Sequence, residues 1–570
     1  MFTPWLKTLS RLLVLGTLLA SQAPAQSTDL LLTNGHIYTS SPANPWVKAV
    51  AIQGDKILAA GSEEALAKFR GAGTRVIDLG GRMAMPGIVD SHCHFLGGSL
   101  ALDEVKLDEA TTLQEVKRLI RAYAAAHRDR PWVLGRGWYY DIFKPALLPT
   151  KQVLDQIVPD RPAVLTCFDG HSVWVNSRAL ALAGITRETP DPVRAGVRVG
   201  IIVRDPATGE PTGVLKEGAA ELVRRLIPEP SREEKLAALR RGLLEAARHG
   251  VTSVVNASGS IEEMELYDEL HRRGELTLRT YTSLMMEPEL SERTLAAYAE
   301  ARRRFHDEWV RAGVIKAFMD GVVESHTAAL LEPYADDMKL MGSTNYLPEQ
   351  FRKNVLELDR RHFQVITHAI GDRAIRITLD AYQAAEQTNG PRDRRFRIEH
   401  IEITTPEDIT CFGRLGVIAS MQPYHCYPNS DTVETWGGHI GPKRLPYSFA
   451  WGDLLRAGAK LAFGSDWPVV SLDPFIGIQN AVTRQTDDGR PPEGWVSAQK
   501  VAVEQALAAY TRDAASAEFE EQRKGSLEPG KLADVIVLSQ DLFRINPLSL
   551  HTTRVQLTII GGKIVHRQGI

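Results

Sequence analysis

Eight short apolar segments, each followed by polar residues, limit the fold of this chain more than any other feature. They span residues 83–89, 252–255, 278–282, 314–318, 365–368, 396–400, 417–421 and 461–466, and the first runs directly into Asp90-Ser91-His92-Cys93-His94. That first run is punctuated by Pro86 and Gly87 and is too brief for a helix, which suits a buried strand. Helix-like stretches such as 233–248 and 348–361 separate most of the segments. Strands alternating with helices imply parallel pairing, and eight such units make a (β/α)8 barrel of the α/β class.

In such a barrel the chemistry sits at the C-terminal ends of the strands. His92 and His94 are two residues apart on one strand, so both side chains face the same way and can grip one ion. Cys93 between them points away and reads as packing. His368, His400 and Asp466 close three of the later runs. Neutral imidazole and carboxylate suit zinc, manganese, nickel or iron, whereas calcium or magnesium asks for oxygen ligands almost throughout. Lys316 also lies at the end of an apolar run. A lysine there must snorkel, pair or change chemically. Burial lowers its pKa and yields a neutral amine able to capture carbon dioxide as an anionic, two-oxygen carbamate. An ion pair with Asp320 or Glu324 is the plain alternative, and Glu217 is a second candidate for a bridging carboxylate.

The order His-x-His, Lys, His, His, Asp on strands one, four, five, six and eight resembles the amidohydrolase superfamily. The wording Phe168-Asp169-Gly170-His171, Lys316-Ala317-Phe318-Met319-Asp320-Gly321, His368-Ala369-Ile370-Gly371-Asp372, Gly464-Ser465-Asp466-Trp467-Pro468-Val469 and the run 525–534 is similar to amidohydrolase family 3, the YtcJ-like and N-substituted formamide deformylase-like proteins. The likeness extends from about Asp29 to Ile564. It implies a pair of divalent ions, zinc favoured, with His92, His94 and Asp466 on the buried ion, His368 and His400 on the more exposed one, and carboxylated Lys316 between them. A water ionised by the metals then attacks a polarised carbonyl as metal-bound hydroxide. Asp466 is the natural general base, and His400 is counted with it as catalytic. His171, Trp138, Asp320 and Gln422 are the expected substrate contacts.

The reaction expected is hydrolysis of a non-peptide carbon–nitrogen bond in an amide, formamide or cyclic amide. A mononuclear deaminase would keep the histidines and Asp466 but need no carbamate, and a non-catalytic periplasmic metal or solute binder is the third reading. A serine hydrolase is disfavoured because no Gly-x-Ser-x-Gly elbow occurs, and neither a Walker loop nor His-Glu-x-x-His appears.

Residues 1–25 read as a signal peptide: Lys7 and Arg11, an apolar stretch over 12–20, and Ala23-Pro24-Ala25 as a cleavage site. The stretch is well short of the roughly 20 residues that cross a bilayer. Sec export to a Gram-negative periplasm or beyond, with no stable membrane span after processing, is the expectation. Residues 26–84 and 525–570 carry short strands broken by Asn-Gly, Gly-Asp and Gly-Gly turns, which suits one small composite β-sandwich built from both termini. The barrel takes 85–480, with a large insertion after strand one over about 97–248, and 481–524 is a helical return. An insertion of that size is a subdomain that roofs the site. The net charge of −3, from 67 basic and 70 acidic residues, offers no footprint for nucleic acid or an acidic membrane, so a small molecule is the expected partner and a homo-oligomer is allowed. Cys93, Cys167, Cys411 and Cys426 match no CxxC pattern.

Overall fold

In the computed structural model, which describes Met1 and residues 28–144, 148–194 and 197–570, the centre is an eight-stranded parallel sheet curled into a barrel. Its strands are β1 (Ile88–Cys93), β2 (Val251–Gly259), β3 (Arg279–Met285), β4 (Val310–Phe318), β5 (Gln364–Ala369), β6 (Arg397–His400), β7 (Ile418–Met421) and β8 (Leu461–Phe463), each hydrogen-bonded to the next. Main-chain bonds just beyond the strands bring β8 back to β1: Asp466 N–H donates to the His92 carbonyl and His94 N–H to the Trp467 carbonyl, both at 2.7 Å. The (β/α)8 expectation is met. The reading of residues 83–89 as one strand is not. Met83–Pro86 belongs to a different sheet, and the chain turns into the barrel at Gly87, where a Cβ would lie 2.3 Å from the Thr252 side chain. Only glycine fits so close a crossing.

The ring helices begin where the sequence supplies caps. Ser231 and Glu234 form a capping box on α1 (Arg232–Arg248), Ser260 caps α2 (Ile261–Arg272), and Ser291 caps α3 (Glu292–Arg304). Leu236, Leu239, Leu243 and Ala246 of α1 lie three to four residues apart and are buried in the main core, which is why this face turns inward. Helix α1 packs so tightly on the helix Phe95–Ala101 that a Cβ on Gly242 would meet Ser99 at 2.0 Å. It therefore belongs with the barrel ring, although the sequence reading counted it in the insertion.

The inserted segment builds a six-stranded sheet of its own, in the order Gly200–Arg204, Pro211–Glu217, Ser172–Val175, Ala163–Cys167, Val133–Trp138, Val105–Lys106. Two separate apolar clusters form within this segment, one around Trp138 and Trp174 and one around Val173 and Val175. The two chain ends meet in a pair of sheets, one of four strands from residues 30–78 and one of six combining His36–Tyr38, Trp46–Val47 and Met83–Pro86 with Val535–Leu538, Val555–Ile560 and Lys563–Arg567. Leu30, Leu32, Ile52, Val535, Val537 and Ile559 fill the space between them. The leader expected over 1–25 lies outside the described residues, Met1 apart. Among those described, no helix is long and apolar enough to cross a membrane, and all four cysteines are unpaired.

Candidate metal centre

Strand alternation aims a set of side chains at the top of the barrel. Asp90 and His92 share one face of β1, and Ile366 and His368 share one face of β5. On β6 the inward face carries Arg397 and Glu399, joined at 2.9 Å, so alternation alone would turn His400 outward. The chain leaves the strand there in the left-handed region, with φ 74° at His400 and 53° at Ile401, and the His400 ring comes to lie 4.9 Å from that of His92. Asp466 also has φ 60°. Non-glycine residues held in this region cost of order 1–3 kcal/mol each and cluster where a site over-determines them.

Seven side chains converge. His94 Nε2 is 3.0 Å and His92 Nε2 3.4 Å from Asp466 Oδ1, and on its other oxygen Asp466 Oδ2 lies 3.4 Å from His425 Nε2 and 3.9 Å from His400 Nδ1. The His368 ring sits 4.5 Å from His400, and Lys316 Nζ is 3.5 Å from His92 Nε2. Two groups of potential ligand atoms result, His92–His94–Asp466 and His400–His425–Asp466, each within 4.8 Å of one another. The far ring nitrogens are held: His92 Nδ1 by Glu399 at 2.6 Å, His94 Nδ1 by Ser258, and His368 Nε2 by the Gly321 carbonyl at 3.1 Å. Such partners fix the tautomer and leave the other nitrogen for a ligand.

The electrostatics suit a cation. Burial, reinforced by Lys316, pushes His92 down to about 4, and burial with neighbouring imidazoles and Lys316 pushes His368 and His400 well below their ordinary value, so these rings are neutral donors at pH 7. Burial opposes ionisation of Asp466, but His92, His94 and His400 outweigh it and hold the carboxyl well below the usual carboxylate range. His400 Nδ1, His425 Nε2 and Asp466 Oδ1 are buried without a hydrogen-bond partner among the described residues. Spacings of 3.0 and 3.4 Å match edges of a tetrahedron whose ligands stand about 2.0–2.1 Å from an ion. The donor set therefore fits a divalent metal. Lys316 is fully buried, and burial brings it down to about 8. It makes no ion pair with Asp320 or Glu324; its Nζ meets His92 and the ring of Phe318.

The other expected residues divide. His171 lines a cavity of about 1130 Å³ over the ligands, together with His368, His400 and Asp466. Its Nδ1 meets Glu217 at 2.8 Å; burial lowers its pKa, but the Glu217 carboxylate overrides this and raises it to about 9. Glu217 is thus the partner of His171, remote from Lys316 in its bonding. Asp320 reaches the cavity, yet its carboxylate is committed to the N–H groups of Ala329, Ile370 and Gly371 at 2.9–3.0 Å, tying the loops after β4 and β5 together. Trp138 is not a cavity residue: it is buried in the core of the inserted segment, its indole N–H donating to the Leu165 carbonyl at 2.8 Å. Gln422 is also buried and is not among the residues that line the cavity, and neither amide atom finds a partner among the described residues. Sequence reasoning missed His425, because it follows β7 by four residues instead of ending it, and gave no role to Glu399, although it stands beside His400.

Residues 75–566 match the amidohydrolase family. The chain is 30% identical over 540 residues to the putative amidohydrolase YtcJ of Bacillus subtilis, covering 94% of this chain and 98% of the relative. It is 26% identical over 546 residues to the N-substituted formamide deformylase of Arthrobacter pascens, again covering 94% and 98%. Among solved structures, an uncharacterized metal-dependent hydrolase from Pyrococcus horikoshii aligns with a TM-score of 0.71 at 24% identity, covering 91% of this chain and 99% of that one. With the barrel and its ring of ligands already in view, the chain belongs to the amidohydrolase family.

Proposed function

We propose that this metal-dependent hydrolase of non-peptide carbon–nitrogen bonds cleaves a small amide, formamide or cyclic amide at a centre of two divalent ions, zinc favoured. The observation that carries the two-ion reading is that Asp466 belongs to both groups of converging ligand atoms, one oxygen toward His92 and His94 and the other toward His400 and His425. The N-substituted formamide deformylase relative supports the choice of bond. Two cations held side by side need an anionic bridge, and Lys316, buried without an ion pair and shifted toward the neutral amine, is the group suited to become one by carboxylation.

Divalent metal at such a centre polarises a carbonyl and brings the pKa of bound water toward 7. Asp466, ionised and facing four imidazoles, accepts the proton of the attacking water and returns it to the leaving nitrogen. His171, with Nδ1 occupied by Glu217, keeps Nε2–H as a donor for the carbonyl oxygen as charge develops there.

Metal analysis of the purified protein, followed by a screen of N-formyl amines, N-acyl amino acids and cyclic imides with the preferred metal, tests this. Two ions per chain and release of amine from an amide are expected. One ion per chain with ammonia released from an amino-heterocycle would make the protein a mononuclear deaminase instead.

A further inference from the structure

Eleven carboxylate side chains line the cavity against two guanidinium groups, so its charge favours cations. Most of the acids near the centre are engaged. Asp466 faces imidazoles, Glu217 holds His171, and Asp320 takes three backbone N–H groups. Asp169 accepts from the Tyr140 hydroxyl and from His171 N–H, each at 2.8 Å, and Glu402 accepts from the Trp436 indole at 2.8 Å.

Two acids differ. Asp431 opens a six-residue π-helical turn (Asp431–Trp436), lines the cavity and is only 2% exposed; the Asp141 main-chain N–H hydrogen-bonds its carboxylate, yet its Oδ1 has no hydrogen-bond partner and it makes no ion pair among the described residues. Lys144, the lysine that acts on it, is bonded to Glu434 at 2.7 Å. Glu324, on the long loop after β4, lines the same cavity and likewise makes no ion pair there. Glu324, Glu402, Asp169 and Asp431 all line this one cavity, and burial together with the charges of the other three holds Glu324 well above its ordinary range. A buried acid without counter-charge, as Asp431 is, is costly, Glu324 is half-buried beside the same space, and a π-helical turn is rare and frequently functional. The rings of Tyr139 and Phe168, stacked 4.5 Å apart, line the cavity too and offer π faces to a cation. The patch adjoins the reaction centre: Glu402 is 3.7 Å from His425, which is 3.4 Å from Asp466.

We propose that Asp431 and Glu324, beside the Tyr139 and Phe168 rings, form a subsite for a protonated amine, so that the substrate carries a primary ammonium or guanidinium group in addition to the bond that is cut. An ammonium has three donors to share between two carboxylates and supplies the positive charge that this wall lacks. The inference rests on the amide-hydrolase reading for the bond cleaved, but its binding arm does not.

The test is a pair of calorimetric titrations of the metal-loaded protein, with 1,5-diaminopentane and with its neutral isostere 1,5-pentanediol. The diamine is expected to bind more tightly, and Asp431→Asn and Glu324→Gln are each expected to reduce the diamine-to-diol affinity ratio by about tenfold, the scale of a charge-assisted hydrogen bond. Equal binding of the two probes, or a ratio unchanged in both variants, overturns the subsite. A second arm compares kcat/KM for N-formyl-1,5-diaminopentane and N-formylpentylamine. A protein that binds the diamine through Asp431 but cleaves neither formamide, nor any amide or cyclic imide of the screen above, refutes the reaction reading and leaves the subsite standing. One that cleaves both with the same kcat/KM, before and after substitution, refutes the subsite and leaves the reaction.

Discussion

A fully buried lysine 3.5 Å from an imidazole nitrogen, with no ion pair among the described residues, is poorly placed as an ammonium. Carboxylation relieves the misfit by replacing a positive charge with a negative one where cations gather. Lys316→Ala is accordingly expected to lose most activity and about half of the bound metal, with part of both restored by acetate or propionate standing in for the carbamate. Retention of two ions and near-normal turnover, measured by metal analysis and kinetics, would return Lys316 to a structural role. At this scale the side chains of His92, His94, His368, His400 and Asp466, which follow or close strand-like runs in the sequence, are the ones the structure brings together. It misled at Trp138: in the inserted segment both strand parities supply apolar clusters, so parity cannot separate a cavity face from a core face.

At the scale of elements, the first barrel turn depends on Glu263 at the start of α2. One oxygen of its carboxylate accepts from Leu96 N–H at 3.2 Å, the Asn256 amide at 2.9 Å and the Tyr267 hydroxyl, anchoring the helix that follows His94. Burial raises Glu263 to about 7 from 4.5, against those hydrogen bonds. The folded pKa therefore exceeds the unfolded one, the native state binds more protons between them, and stability contributed by this group falls as pH rises from about 4.5 to about 7. Glu263→Gln keeps the accepting oxygen and removes the titration. Denaturant unfolding at pH 5 and pH 7.5 is expected to give a smaller loss for the variant, by about 1–3 kcal/mol. An identical loss in both proteins would show that Glu263 does not titrate there. The barrel seam has a similar local determinant in Gly464, where a Cβ would stand 2.5 Å from His92 N.

Across the whole molecule, barrel and terminal sheets are joined by charge as well as by apolar packing. Arg279 of β3 donates to both oxygens of Asp534, at 2.8 and 3.1 Å, and Gly561 N–H adds a third bond to the same carboxylate at 2.8 Å. Breaking a buried pair on one side strands the other charge, at a cost of about 3–5 kcal/mol. Asp534→Asn should lower the unfolding midpoint and, because the contact lies between the chain ends and the barrel, widen or split the thermal transition seen by calorimetry. An unchanged single transition would mark the bridge as dispensable. The leader is a proposal at the same scale: protein expressed in a Gram-negative host should begin at Gln26, within a residue or two, by N-terminal sequencing, whereas an intact Met1 in the membrane fraction would make the segment an anchor.

Local periodicity determined much of this protein. Most of the short apolar runs are buried strands, helices capped by Ser231, Ser260 and Ser291 lie between them, and polar residues at the run ends collect at one mouth of the barrel. Those rules operate over a few residues, within reach of a reader of sequence. Tertiary closure alone decided that Glu399 would steady His92 from 307 positions away, that His425 would lie 3.4 Å from Asp466, and that His400 would leave its strand through a left-handed backbone to face inward. It also decided that Asp431 would be buried, and Glu324 half-buried, in the lining of one cavity without an ion pair among the described residues. Such pairings cost loop-closure entropy that no local pattern encodes, and they are settled only when the whole barrel buries its apolar surface at once.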